Sequence, residues 1–148
     1  MSNSTALAVL HLLRAQSRIE DRMNRSLGAI HGLALKDLLI LMHLDQSAAG
    51  RLSRTDLARR LNVSASTMTR AAAPMEKTGL VERQTDPRDA RLAYVSLTES
   101  GRRLAREARA SFDQTAQELF RDRWDDADIG SLTSLLARLN AAEPGELI

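Results

Sequence analysis

The chain contains no cysteine, which excludes disulfides, cysteine-ligated zinc, thiol catalysis and any thiol redox switch. Aromatic side chains are almost as scarce, with one Trp, one Tyr and two Phe, so few aromatic walls are available to a ligand pocket. Long apolar runs are missing as well. The longest, Ala6 to Leu10 and Leu38 to Met42, fall far short of the ~20 residues of a membrane span, so no membrane partner is expected. The first residues, Met1-Ser-Asn-Ser-Thr5, lack the basic flank of a signal peptide, and the expectation is a cytoplasmic chain. There is no Gly-rich phosphate loop. The three histidines His11, His31 and His43 have none of the i, i+4 spacing of a helical zinc motif, and no carboxylates form a catalytic constellation. These absences leave no enzyme, no cofactor and no metal to propose.

What is present is the balance of an ordinary globular protein, 43% apolar and 27% charged in 148 residues. That length favours one domain, which buries roughly 70% of its unfolded surface when compact. The net charge of +2 hides an asymmetry. Residues 1–50 carry a net +1, residues 51–106 a net +6 and residues 107–148 a net −5. A concentrated positive middle suggests a polyanionic partner, and an acidic tail discourages non-specific binding elsewhere. Of the 21 basic residues 19 are arginine, whose planar fork suits phosphate and guanine edges. A solvated, arginine-rich surface is the plainer alternative.

Periodicity predicts a first helix from about Thr5 to Ile30, with Val9, Leu12, Ile19, Met23, Leu27 and Ile30 forming its apolar stripe. A second helix, from about Leu35 to Asp45, is apolar nearly all round and belongs at the centre of the core. Gln46 to Leu52 reads as a linker. Ser53 stands three residues before Asp56, a capping-box-like start to a short helix that Asn62-Val63 breaks. Ser64 caps the next helix, which stops at Gly79 and turns Met68, Ala72 and Met75 inward. Short helix, turn and second helix give the outline of a helix-turn-helix. Two strand-like runs follow, Leu80 to Gln84 and Arg91 to Leu97, around a turn-rich loop carrying arginines. Thr98 caps a long helix from Glu99 to about Arg121. A last helix begins near Asp125 and ends at Pro144-Gly145.

A helix fits the DNA major groove, where short polar side chains near its start meet base edges and an arginine reads guanine bidentately. Ser66, Thr67 and Arg70 have that position and chemistry, and Ser64 and Thr69 flank them. Helix-start preference and a surface ion pair would also account for these residues. The hairpin adds weight, because an arginine at a turn tip can enter the narrow minor groove. Arg88 and Arg91 are the candidates, with Asp89 able to hold Arg91 by a carboxylate fork.

Two stretches resemble the MarR family of bacterial winged helix-turn-helix regulators. One is Leu57-Ala-Arg-Arg-Leu-Asn-Val-Ser-Ala-Ser-Thr-Met-Thr-Arg70, continuing to Leu80-Val-Glu-Arg83. The other is Asp86-Pro-Arg-Asp-Ala-Arg91, through Val95-Ser-Leu-Thr98 to Gly101, which is similar to the family's wing almost position for position. The resemblance implies a mainly α fold with a small β-hairpin wing, and N- and C-terminal helices that form a dimerisation base. Residues 1–32 and 99–148 would supply those helices and residues 33–98 the DNA-binding lobe. It also implies a homodimer on a palindromic operator in double-stranded DNA, the recognition helix in the major groove and Arg91, oriented by Asp89, in the minor groove. The apolar stripes of the first and last helices, which lack a partner within one small domain, fit that dimer.

Two departures stand out. The recognition helix carries Ala71-Ala-Ala-Pro74 where relatives have larger side chains. Pro74 removes the hydrogen bond to the Arg70 carbonyl and is expected to kink the helix or tighten its end. The second helix starts at Leu33-Ala-Leu35 without a Ser or Thr cap. Family members commonly respond to small aromatic or phenolic effectors in a cleft between the dimer base and the DNA-binding lobe. His11, Met42 and His43 could line such a cleft, although each also serves as ordinary core filler. The reading is a transcriptional repressor released from DNA by a small ligand. The alternative is an architectural or protein-interaction winged helix that does not read sequence.

Overall fold

The computed structural model describes residues 2–89 and 91–140. The elements run α1 (Ser2–His31), α2 (Leu35–Gln46), β1 (Arg51–Ser53), α3 (Arg54–Arg60), α4 (Ala65–Lys77), β2 (Val81–Thr85), β3 (Ala93–Leu97), α5 (Glu99–Leu119) and α6 (Asp126–Asn140). The expected stop at Pro144-Gly145 lies outside the described residues, as do residues 141–148 of the expected dimerisation segment. Among the described residues no single helix is long and apolar enough to cross a membrane.

Helix α2 is the centre of the core. Leu38, Leu41 and Leu44 are fully buried and Ile40 is nearly so, each side chain contributing about 1.5–3 kcal/mol relative to an exposed one. Around α2 lie Met23 and Leu27 of α1, Leu57 of α3, Met68 and Met75 of α4, Val95 and Leu97 of β3, and Ala105 and Ala108 of α5. The expected stripe of α1 is only partly internal. Met23 and Leu27, in the last third of this 30-residue helix, are buried, but Val9 and Ile30 are 50% and 64% exposed.

Local chemistry sets the helix boundaries. The Ser53, Ser64 and Thr98 hydroxyls accept from the backbone N–H of Asp56, Thr67 and Gly101 respectively. Both helices of the helix-turn-helix end in paired backbone bonds about a left-handed residue. Asn62 N–H reaches Arg59 O and Val63 N–H reaches Ala58 O; Gly79 N–H reaches Glu76 O and Leu80 N–H reaches Met75 O. Asn62 and Gly79 take φ 53° and 78° to close them. Helix α2 starts differently. Its Leu35 N–H donates to Asn24 Oδ1 of α1 at 2.7 Å, and the preceding Ala34 N–H donates to the Asp37 carboxylate at 3.2 Å. A side chain from another helix thus supplies the missing cap.

The sheet has three strands in the order β1-β3-β2, all antiparallel. The expected Gln46–Leu52 linker therefore contains structure: a 3₁₀ turn at Ala48–Gly50 leads into β1, and Leu52 pairs with Val95 on the outer edge of β3. A three-residue strand has no pattern of its own and forms because β3 offers an unpaired ladder. The hairpin register sets Val81 opposite Leu97 and Thr85 opposite Ala93, so β3 starts at Ala93 and Arg91 belongs to the loop. Helix α5 ends at Leu119 rather than Arg121, and Asp122 turns the chain with φ 72°. Helix α4 runs on through Pro74 to Lys77.

Candidate nucleic-acid interface

The exposed start of α4 carries a linked set of hydroxyls. Ser64 Oγ accepts from Thr67 N–H at 3.1 Å, donates to Thr67 Oγ1 at 2.9 Å and lies 3.1 Å from Ser66 Oγ. Arg70 Nη2 donates to the same Thr67 oxygen at 3.5 Å. Ser64, Ser66, Thr67 and Arg70 thus form one polar surface, while Met68, Ala72 and Met75 on the opposite side of the helix are buried. This division follows from helical periodicity: apolar positions anchor α4 to the core, which holds the polar face outward on a rigid support.

Thr69 has a different environment. Its hydroxyl donates to Ala65 O at 3.0 Å and accepts from Arg54 Nη1 at 3.0 Å, so it braces Arg54 on the flank of α4. Sequence reading missed Arg54, since only folding brings the start of α3 to the side of α4, 15 residues later.

Aspartates order the wing loop. Asp86 Oδ1 accepts from Arg88 N–H at 2.7 Å and Asp89 Oδ1 from Arg91 N–H at 3.0 Å, two side-chain turns of the kind Asp favours. Backbone bonds from Asp86 N–H to Leu92 O and from Leu92 N–H to Asp89 O close the loop. Arg91 Nε also meets Asp89 Oδ1, at 3.4 Å. The expected bidentate fork is not formed: the carboxylate shapes the backbone and makes one longer contact to the guanidinium. The Arg91 side chain, 93% exposed, is free to project from the tip, and Arg88 is exposed beside it. An exposed cation at a turn tip, next to a rigid helix with polar side chains, is suited to inserting into a minor groove.

The three residues considered for an effector are not brought together. His11 lies on the exposed side of α1 and lines a groove of about 890 Å³ between the long helices and the lobe. Met42 is buried and borders a separate cleft with Asp45, Gln46 and Ala105. His43 is 2% exposed in the core. The groove is walled by Ile19, Leu39, Phe120, Trp124, Leu132 and Leu136, with Lys36 at its margin. Phe120 and Trp124 meet edge to face, their centroids 5.2 Å apart. Two of the chain's four aromatic rings thus stand in one wall, brought together by the turn between α5 and α6.

With this geometry in place, residues 31–92 match the family described as the MarR family. A curated relative, the transcriptional regulator AdcR of Streptococcus pneumoniae serotype 2, is 40% identical over 68 residues, 46% of this chain and 44% of AdcR. The chain thus matches less than half the length of that relative. Among solved structures, Sco3205, a MarR family transcriptional regulator from Streptomyces coelicolor in complex with DNA, superposes with a TM-score of 0.84. It is 26% identical, and the match covers 95% of this chain and 88% of that one. The transcriptional regulator BldR from Sulfolobus solfataricus, also 26% identical, has a TM-score of 0.77 over 93% of this chain and 99% of its own.

Proposed function

We propose that the chain is a winged helix-turn-helix transcriptional regulator of the MarR family, which its residues 31–92 match, and that it binds a palindromic operator in double-stranded DNA as a homodimer and represses transcription in the cytoplasm. The observation that carries this reading is the pairing of an outward polar face on α4 with an ordered, arginine-tipped wing in the same lobe. Ser64, Ser66, Thr67 and Arg70 would meet the major groove, Thr69 would brace Arg54 on their flank, and Arg91, with Arg88 beside it, would enter the minor groove. Asp89 holds the loop that carries Arg91. Structural likeness to a DNA-bound regulator supports the same assignment.

The division of labour is residues 33–98 as the DNA-binding lobe and the flanking helices as the dimer base. Large apolar side chains stand in solvent on α1 and α6: Leu7, Leu10 and Leu13 are 52–62% exposed and Leu135 and Leu139 are 58% and 66% exposed. Covering these helices with a second copy would bury them, and a two-fold dimer would match an operator of two-fold symmetry. The groove walled by Phe120 and Trp124 is the place for a small aromatic or phenolic effector. Such a ligand releases the operator only by binding two spacings of the lobes unequally.

The test is fluorescence anisotropy at about physiological salt, comparing a duplex selected by the protein from a random pool with its scrambled counterpart. A preference of ~10³ or more establishes sequence reading. Equal and steeply salt-dependent binding to both would instead favour an architectural winged helix.

A further inference from the structure

Between α4 and the wing strands lies a cleft of about 130 Å³ lined by Arg54, Thr69, Ala73, Glu76, Arg83 and Tyr94, among others. Its two arginines arrive from opposite walls. Arg54, half-buried at the start of α3, is fixed by its 3.0 Å bond to Thr69 Oγ1. Arg83 stands on β2 opposite Val95 of β3, on the sheet face that Val81 and Leu97 also share, yet its own side chain is exposed. Glu76 and Glu82 line the same cleft, yet among the described residues neither guanidinium takes an ion pair with a carboxylate. In the same chain Arg22, Arg102 and Arg109 each hold a carboxylate at 2.8 Å. A guanidinium that holds no carboxylate keeps its planar fork of donors for a phosphate.

The geometry points to a backbone phosphate of duplex DNA as the anion for this cleft, an inference that rests on the DNA-binding reading above. A major groove and the minor groove beside it are separated by a single sugar–phosphate strand. If α4 occupies the first and the wing the second, that strand must cross the space between α4 and the wing, which is this cleft. We propose that Arg54 and Arg83 grip one phosphate of the crossing strand and that Thr69 is a positioning residue acting through Arg54. Their contribution is to register and affinity. Base choice rests elsewhere, because phosphates carry no sequence information directly.

The experiment uses the full chain and a duplex that the wild type selects from a random pool. Arg83→Gln and Arg54→Gln should each weaken binding about fivefold, equally on selected and scrambled DNA, and each should make the salt dependence shallower by about one released counterion. Thr69→Val should weaken binding in the wild type and add nothing to Arg54→Gln. A scan with single methylphosphonates, which remove one charge each, should find one phosphate per half-site whose neutralisation weakens the wild type but not the double variant that carries both Arg54→Gln and Arg83→Gln. The Arg83 side chain makes no hydrogen bond among the described residues, so its variant should melt like the wild type and keep the test independent of folding. Unchanged affinity and salt slope in the double variant would overturn the cleft assignment while leaving the DNA-binding reading intact. A loss confined to particular base pairs would overturn it too, by making the arginines base readers. Failure of the wild type to select any duplex would remove the DNA-binding reading itself, and this inference with it.

Discussion

Gly101, in the first turn of α5, lies so close to the Leu80 carbonyl that a β-carbon there would overlap it. Thr98, the cap of the same helix, donates to Gly79 O at 2.6 Å, within reach of Leu80 O as well. The long helix α5 is thus locked to the end of the recognition helix, and motion of one must carry the other. Alanine normally favours a helix over glycine by about 0.8–1 kcal/mol. Here the overlap is with backbone, which cannot swing aside, and overpacking typically costs about 1–3 kcal/mol. Gly101→Ala should therefore destabilise the protein by about 1–2 kcal/mol, read as a lower urea midpoint. A stabilised variant would mean that α5 can shift away from Leu80 freely.

Asn24 bridges α1 to the start of α2 through Leu35 N–H. Removing the acceptor strands a partly buried donor, a loss of about 1–2 kcal/mol. Asn24→Ala should show that loss in equilibrium unfolding, and Asn24→Asp, which keeps an acceptor, should recover most of it.

Arg22 donates to Glu118 at 2.8 Å. This hydrogen bond, foremost among its neighbours' effects, holds the Glu118 carboxyl below the usual glutamate range. A lowered native pKa means that the unfolded chain binds the proton more readily. The contribution is then fully present above the ordinary glutamate pKa and is lost as pH falls through the native value. Glu118→Gln should lower the melting temperature at neutral pH, and its difference from the wild type should close under acid conditions. A gap constant with pH would assign the effect to packing.

Leu10 is 62% exposed on α1. If the long helices form the dimer base, Leu10→Glu places a charge in that interface and should shift sedimentation from dimer towards monomer. Helix content should hold, because the side chain lies outside the core. A dimer as tight as the wild type would move the interface away from this face of α1.

Arg91→Ala should weaken binding to a selected duplex by roughly 1–3 kcal/mol. Arg70→Ala should cost a similar amount and also relax base preference near its contact. Full affinity in both variants, measured by anisotropy, would remove these two residues from the interface without touching the fold.

Much of the lobe was legible in the chain because its determinants are local. Ser53, Ser64 and Thr98 cap helices through N–H groups three residues away, Asn62 and Gly79 close helix ends, and Met68, Ala72 and Met75 declare one face of α4 by spacing alone. The Asp-Pro-Arg-Asp run likewise orders its own loop. Such interactions close within a few residues, so residue order is enough to show them.

What the tertiary structure decided lies beyond that range. The effector candidates scattered because His43, identical in kind to His11, sits on the all-round apolar helix that became the core. The groove needed Phe120 and Trp124 to stand across from His11 and Lys36, and Thr69 acquired its role only when Arg54 arrived beside it. Strand β1 and the Asn24 cap depend on partners elsewhere in the chain. Composition and periodicity by themselves determined which segments are helices and, within the lobe, which face of α4 turns inward. Which polar groups would meet across the packed elements was decided by docking, because those pairings follow from distances in space that no local pattern encodes.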